Sequence, residues 1–144
     1  MCGACGDEQA QTTHALDVLR ERVRLERGLH APRRARELVD RLGRSAGLDE
    51  ERREVAVLLT SEVVTNAVVH GAGEPEVTVE AGAGGVRVQV TDGSRVPPQL
   101  RRVGPDAVGG RGVALLDILA DAWGAAPTAT GKAVWFELGS PSPR

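Results

Sequence analysis

EERREVAVLLTSEVVTNAVVHGAGEPEVTVEAGAGGVRVQVTDG, residues 50–93, places a helix and a hairpin back to back, and that order sets the fold class. Asp49, just before it, is a side-chain acceptor suited to a helix N-cap, and Glu50 and Glu51 put negative charge at the positive end of the helix. The pattern predicts a helix to about His70, apolar on nearly every side and ended by Gly71 and Gly73. Beyond it, Val77 and Val79, then Val86, Val88 and Val90, alternate on either side of a Gly82–Gly85 turn. Glu76–Ala81 and Val86–Thr91 therefore read as a β-hairpin.

Upstream, Pro32 suits a first helical turn, and Ala35, Leu38, Val39 and Leu42 repeat at three and four until Gly43 and Gly47 interrupt. Between Ala15 and Leu29, Leu16, Leu19 and Val23 start at helical spacing and then alternate through Val23, Leu25 and Arg27, which predicts a helix passing into a short strand. Residues 1–14 are polar and small and read as a flexible leader. Downstream, residues 93–109 carry three prolines and two adjacent arginines without an apolar period, the mark of a functional loop or lid. Gly109, Gly110 and Gly112 lead into a helix over Val113–Asp121, and strands over Ala122–Ala126 and Lys132–Leu138 close the chain across a Thr130-Gly131 turn. The order predicts an α+β fold, a two-layer sandwich with helices on one face of a mostly antiparallel sheet. It is read as a single domain over residues 15–140, with 141–144 as a tail.

The bulk properties narrow the function. A chain of 144 residues with 41% hydrophobic and 26% charged residues is globular in balance. With no Tyr, one Phe and two Trp, its core has to be built from Val, Leu and Ala, and stacking on nucleobases is disfavoured. A net charge of -2 gives no overall attraction to nucleic acid, and Lys132 is the single lysine among 18 basic residues. No stretch approaches the ~20 apolar residues of a membrane helix, so the cytoplasm is the expected location. Cys2 and Cys5 form a CxxC, but His14 and His30 do not complete zinc-finger spacing, and the pair reads as two thiols beside a mobile terminus.

Three pieces carry chemistry. Glu62, Asn66 and His70 fall at i, i+4 and i+8, in line with Val55 and Leu59, so a polar row continues an apolar stripe. Buried polar groups need partners, and the row reads either as a network or ligand site or as a helix end turning outward. Asp92-Gly93 ends the hairpin, offering a carboxylate acceptor next to backbone that a flat ring can approach. Gly109-Gly110-Arg111-Gly112 before a helix offers unhindered N–H groups at a positive helix end, the physics of phosphate binding. GxxxxGK[ST] and a strand-GxGxxG-helix unit are both absent, which disfavours P-loop and dinucleotide folds.

The run Glu62-Val63-Val64-Thr65-Asn66-Ala67-Val68-Val69-His70, then Asp92-Gly93-Ser94, Gly109-Gly110-Arg111-Gly112-Val113 and Gly131-Lys132-Ala133-Val134-Trp135-Phe136, resembles the GHKL ATPase/kinase superfamily. Within it, the chain is similar to the small anti-sigma-factor serine kinases of bacteria, particularly the actinobacterial type, over about residues 30–138. The resemblance implies ATP and Mg²⁺ as ligands, Glu62 as general base and Asn66 as the magnesium ligand. It implies Asp92 as acceptor from the adenine amino group with Gly93 beside it, and Gly110, Arg111 and Gly112 around the phosphates. His70 would lie near the mouth of the site, and Lys132 joins the ATP-binding set from the closing box. Ala133 stands where the family usually has a Thr that helps bridge Asp92 and adenine, a hydroxyl worth about 1 kcal/mol unless water replaces it.

By the same resemblance the function is that of an ATP-dependent protein serine kinase. It would phosphorylate an anti-anti-sigma protein and sequester a sigma factor, with a homodimer as the family's common state. The alternative is an ATP-gated protein-binding regulator with weak or no catalysis, which Ala133 and the unusual N-terminus keep open. A two-component sensor kinase is poorer, because His14 and His30 lack long flanking coiled-coil patterns. DNA binding through Arg33, Arg34 and Arg36 is poorer again, since arginines on an outer helix face are ordinarily solvated or meet a protein partner.

Overall fold

A computed structural model of the chain describes residues 18–94 and 110–141. Strand β1 (Leu19–Arg24) is followed by helices α1 (Ala31–Ala46) and α2 (Glu50–His70), strands β2 (Glu76–Gly82) and β3 (Gly85–Asp92), helix α3 (Gly110–Leu119), and strands β4 (Ala122–Pro127) and β5 (Lys132–Gly139). The strands form one sheet in the order β1-β2-β3-β5-β4, with every neighbouring pair antiparallel. The α+β sandwich holds as expected, and the sheet formed by the described strands is antiparallel throughout.

Period-two alternation sorts the side chains between two faces. Val77 and Val79 on β2, Val86, Val88 and Val90 on β3, and Phe136 and Leu138 on β5 are all buried, and the register sets Val88 opposite both Val79 and Phe136. Helices α1 and α2 pack on this face over β2 and β3. Ala35, Leu38, Val39 and Leu42 of α1 and Ala56, Leu59, Val63, Val64 and Ala67 of α2 complete the core. The core is aliphatic around one phenylalanine, as the composition requires. The opposite face is a polar ladder, with Arg20 paired to Glu80 at 3.2 Å and Arg87 to Glu137 at 3.4 Å. There Arg87 also stacks over the Trp135 ring at 4.9 Å.

The chain departs from the periodicity at three places. The segment around Leu19 is strand rather than helix among the described residues, because its inward row is Leu19, Glu21 and Val23. Glu21 interrupts the apolar pattern, and Arg41 of α1 pairs with it at 2.9 Å, a contact no local pattern shows. Helix α1 runs through Gly43 and stops at Gly47, whose φ of 84° is left-handed. At Gly43 the missing side chain is replaced by Leu48, 3.3 Å from where a Cβ would stand, so the glycine serves packing rather than termination. Helix α3 begins at Gly110, inside the glycine run that the sequence placed ahead of it.

Leader residues 1–14, with Cys2, Cys5 and His14, lie outside the described residues, as does most of the 93–109 loop. Among the described residues no helix is long and apolar enough to cross a membrane.

Candidate functional site

Helix α2 carries the polar row toward the end of the sheet where β3 finishes and β5 begins. Its N-terminus is set locally: Asp49 accepts from the Arg52 backbone N–H at 2.8 Å, and Glu50 and Glu51 occupy the first turn. Those signals start the helix in a register that brings Glu62 and Asn66 to partly buried positions and leaves His70 exposed in the last turn. The row thus runs from the interior outward, combining both readings open in the sequence.

At the C-terminal end, Gly71 closes α2 and lies directly against Asp92. A Cβ on Gly71 would stand 2.7 Å from Asp92 Oδ2, so only a glycine admits the carboxylate there. Gly93 then ties the end of β3 to the residue after the helix, its N–H donating to the Ala72 carbonyl at 2.7 Å. Arg27, in the segment between β1 and α1, donates to the Gly71 carbonyl at 2.9 Å and to the Val68 carbonyl. Its guanidinium meets the negative end of the helix and satisfies terminal carbonyls that have no partner within it.

Asp92 is 8% exposed and Lys132 is 9% exposed, although both are charged. Ser94 N–H donates to Asp92 Oδ1 at 2.7 Å, and Lys132 Nζ lies 3.3 Å from Asp92 Oδ2. The two residues are cross-strand partners at the end of the β3–β5 ladder, on the face that holds Val90 and Val134 and packs against the helices. Ala133, singled out in the sequence as a missing hydroxyl beside Asp92, alternates to the other face, between Thr91 and Ala126. The residue that faces Asp92 is Lys132. The run Val134, Phe136, Leu138 counted back by twos leads to Lys132 as the residue on the Asp92 face.

Gly110 and Gly112 form the start of α3, so their N–H groups belong to a first helical turn whose donors have no intrahelical acceptor. Helix α3 packs against α2. Gly109 lies outside the described residues. Among the described residues no group of three or more His, Cys, Asp or Glu is arranged to hold a metal ion. The chemistry present instead is one neutral amide oxygen, Asn66, a turn beyond the Glu62 carboxylate. That suits a magnesium ion which keeps water and phosphate oxygens for most of its octahedron.

The described residues therefore offer a buried acceptor at Asp92, backbone donors at the start of α3, and a carboxylate and an amide in a row on α2. The family model for the histidine kinase-like ATPase domain matches residues 25–138. Among curated proteins none matches significantly. Among solved structures, the fold is shared with the crystal structure of the RsbU and RsbW domains of Rv1364c from Mycobacterium tuberculosis, with a TM-score of 0.64 at 21% identity. That match covers 83% of this chain and 32% of the other, so the chain spans about a third of its length. At that identity the likeness speaks for the fold. Strand order, helix layer and the span of the family match all lead to one assignment: the chain belongs to the histidine kinase-like ATPase domain family.

Proposed function

We propose that the chain is an ATP-dependent protein serine kinase of the anti-sigma-factor type. It would transfer the γ-phosphoryl group of ATP to a serine of an anti-anti-sigma partner and hold a sigma factor in the alternative complex. The observation that supports this most directly is the buried Asp92 carboxylate set against Gly71 at the C-terminal end of α2, the helix that carries Glu62 and Asn66.

In this reading Asp92 accepts from the adenine amino group, and Gly93 leaves room for the ring. Gly110 and Gly112 direct backbone N–H groups at the phosphates with Arg111, and His70 stands at the mouth. Asn66 would hold Mg²⁺, which when bound neutralises phosphate charge during transfer. Glu62 takes the proton from the serine hydroxyl as its oxygen bonds to the γ-phosphorus. The bond from that phosphorus to the bridging β-oxygen breaks, and ADP departs.

The alternative is an ATP-gated regulator without catalysis, for which Ala133 and the unusual N-terminus speak; that Ala133 lies on the other face of β5 from Asp92 weakens the first of these. The test is transfer from labelled ATP to candidate anti-anti-sigma proteins. Glu62→Gln should keep Mg-ATP binding and lower transfer by at least about 100-fold, the usual contribution of a general base. Asn66→Ala should lose the magnesium-dependent part of binding. Transfer by Glu62→Gln at the wild-type rate would remove Glu62 from the role, and ATP binding with no transfer to any partner would favour the gated regulator.

A further inference from the structure

Lys132 is the chain's single lysine, and its side chain is 11% exposed against an Asp92 side chain that is 3% exposed. Taking both charges out of water is costly, and an ion pair in that position is weak evidence of a stabilising role. Every other cation of the chain's Lys and Arg set is an arginine. An arginine here would face the carboxylate with a planar fork. An ammonium has three donors on one small atom, and one directed at Asp92 leaves the others to point elsewhere.

The carboxylate is similarly divided. Oδ1 already accepts from Ser94 N–H at 2.7 Å, while Oδ2 lies beside Nζ and against Gly71. The pair therefore presents one acceptor and one donor side by side, 3.3 Å apart, with Gly71 close enough to the carboxylate that only a glycine fits behind it. A ligand edge that complements it carries a donor next to an acceptor. The Watson–Crick edge of adenine does, through its exocyclic amino group and ring nitrogen N1. Guanine in the same pose reverses the pattern, setting its O6 acceptor against the carboxylate and its N1–H donor against the ammonium.

We propose that Lys132 reads the base together with Asp92: Nζ donates to adenine N1 while Asp92 Oδ2 accepts from the adjacent amino group. This deepens the ATP-site reading above and rests on it. Lys132 is then a specificity-determining residue, and it supplies at position 132 the donor that the resemblance sought at 133.

The test is nucleotide binding to the intact chain with magnesium, comparing ATP, 1-deaza-ATP, 7-deaza-ATP and GTP. Replacing N1 by carbon should weaken binding about tenfold or more, the worth of one hydrogen bond from a charged donor. Replacing N7 should leave affinity unchanged, and GTP should bind more weakly than ATP. In Lys132→Met, ATP should bind as weakly as 1-deaza-ATP binds the wild type, and the analogue should lose nothing further. Equal binding of ATP and 1-deaza-ATP to the wild type overturns the assignment without needing any variant, and so does GTP binding as well as ATP. A deaza penalty that persists undiminished in folded Lys132→Met shows another donor at N1 and overturns it too. If the wild type binds none of these nucleotides, the ATP-site reading itself falls, a result separate from a failure of Lys132 alone.

Discussion

At its N-terminal end α2 is held by its neighbours in sequence. Asp49 accepts from the Arg52 N–H, and the Arg52 guanidinium returns to Asp49 at 3.2 Å. At its C-terminal end the contacts arrive from far along the chain: Arg27 on the carbonyls of Val68 and Gly71, Asp92 against Gly71, and Lys132 against Asp92. The charges differ as well. The N-terminal end opens on a cleft of about 800 Å³ lined by Asp49, Glu50, Glu51, Arg52 and Asp121, with Val55, Leu119 and Leu138 behind them. A helix N-terminus ordinarily attracts anions, but this one is dressed with carboxylates that would repel a nucleotide. That cleft is thus unsuited to ATP, and in the proposed function the anion-binding helix start is that of α3. One end is a folding signal written locally; the other is a site assembled by tertiary structure.

Three changes would break or sharpen that contrast. The largest effect is expected at Gly131, where an added Cβ would overlap the Asp92 carbonyl oxygen and crowd Gly93 Cα at 2.7 Å. Gly131→Ala should cost about 3 kcal/mol, at the upper end of overpacking penalties, and should also weaken nucleotide binding. Urea denaturation and a binding titration read the two effects, and a variant as stable as the wild type would show that the two strand ends are not locked together. Next comes Arg27→Ala, which strips two carbonyls of a charged donor at an exposed position and should cost about 1 kcal/mol. Thermal melts measure it. If the loss is absent and nucleotide affinity is unmoved, the long-range clamp contributes nothing to the site end.

The smallest effect belongs to the local end. The Arg52 backbone N–H, and secondarily the Arg52 charge, hold the Asp49 carboxyl below its ordinary 3.8. A depressed folded-state value means that the carboxylate's contribution is present above the unfolded pKa and is lost as pH falls through the folded one. Asp49→Asn keeps a capping oxygen and removes the titration. Its stability should therefore fall less than that of the wild type on acidification below about pH 4, with nucleotide binding unchanged at neutral pH. Chemical denaturation across that range decides, and identical acid limbs would mean that the cap's charge is immaterial.

The same contrast explains how much the sequence disclosed. Asp49, Glu50 and Glu51 announce the start of α2 within four residues, and the valines of β2 and β3 announce the hairpin, because each is a local regularity. Glu21 on β1 concealed a strand, because what makes an inward carboxylate acceptable is Arg41, on a different element. Gly43 looked like a helix stop because the packing of Leu48 that requires it is tertiary. At the site, Glu62, Asn66 and Asp92 were legible as motif residues. The pairing of Asp92 with Lys132 was not, because it depends on the β3–β5 register, and a one-residue shift in reading β5 exchanges the two faces of the strand.

The chain has a single side-chain amine, and the fold shuts it in beside Asp92. Lysine-directed proteolysis and the acylation or methylation of side-chain amines consequently have one address, a side chain 11% exposed. The pace of reaction at that amine is a clock on the opening of the Asp92 end alone. A ligand that occupies that end would stop the clock, while one bound anywhere else would leave it running.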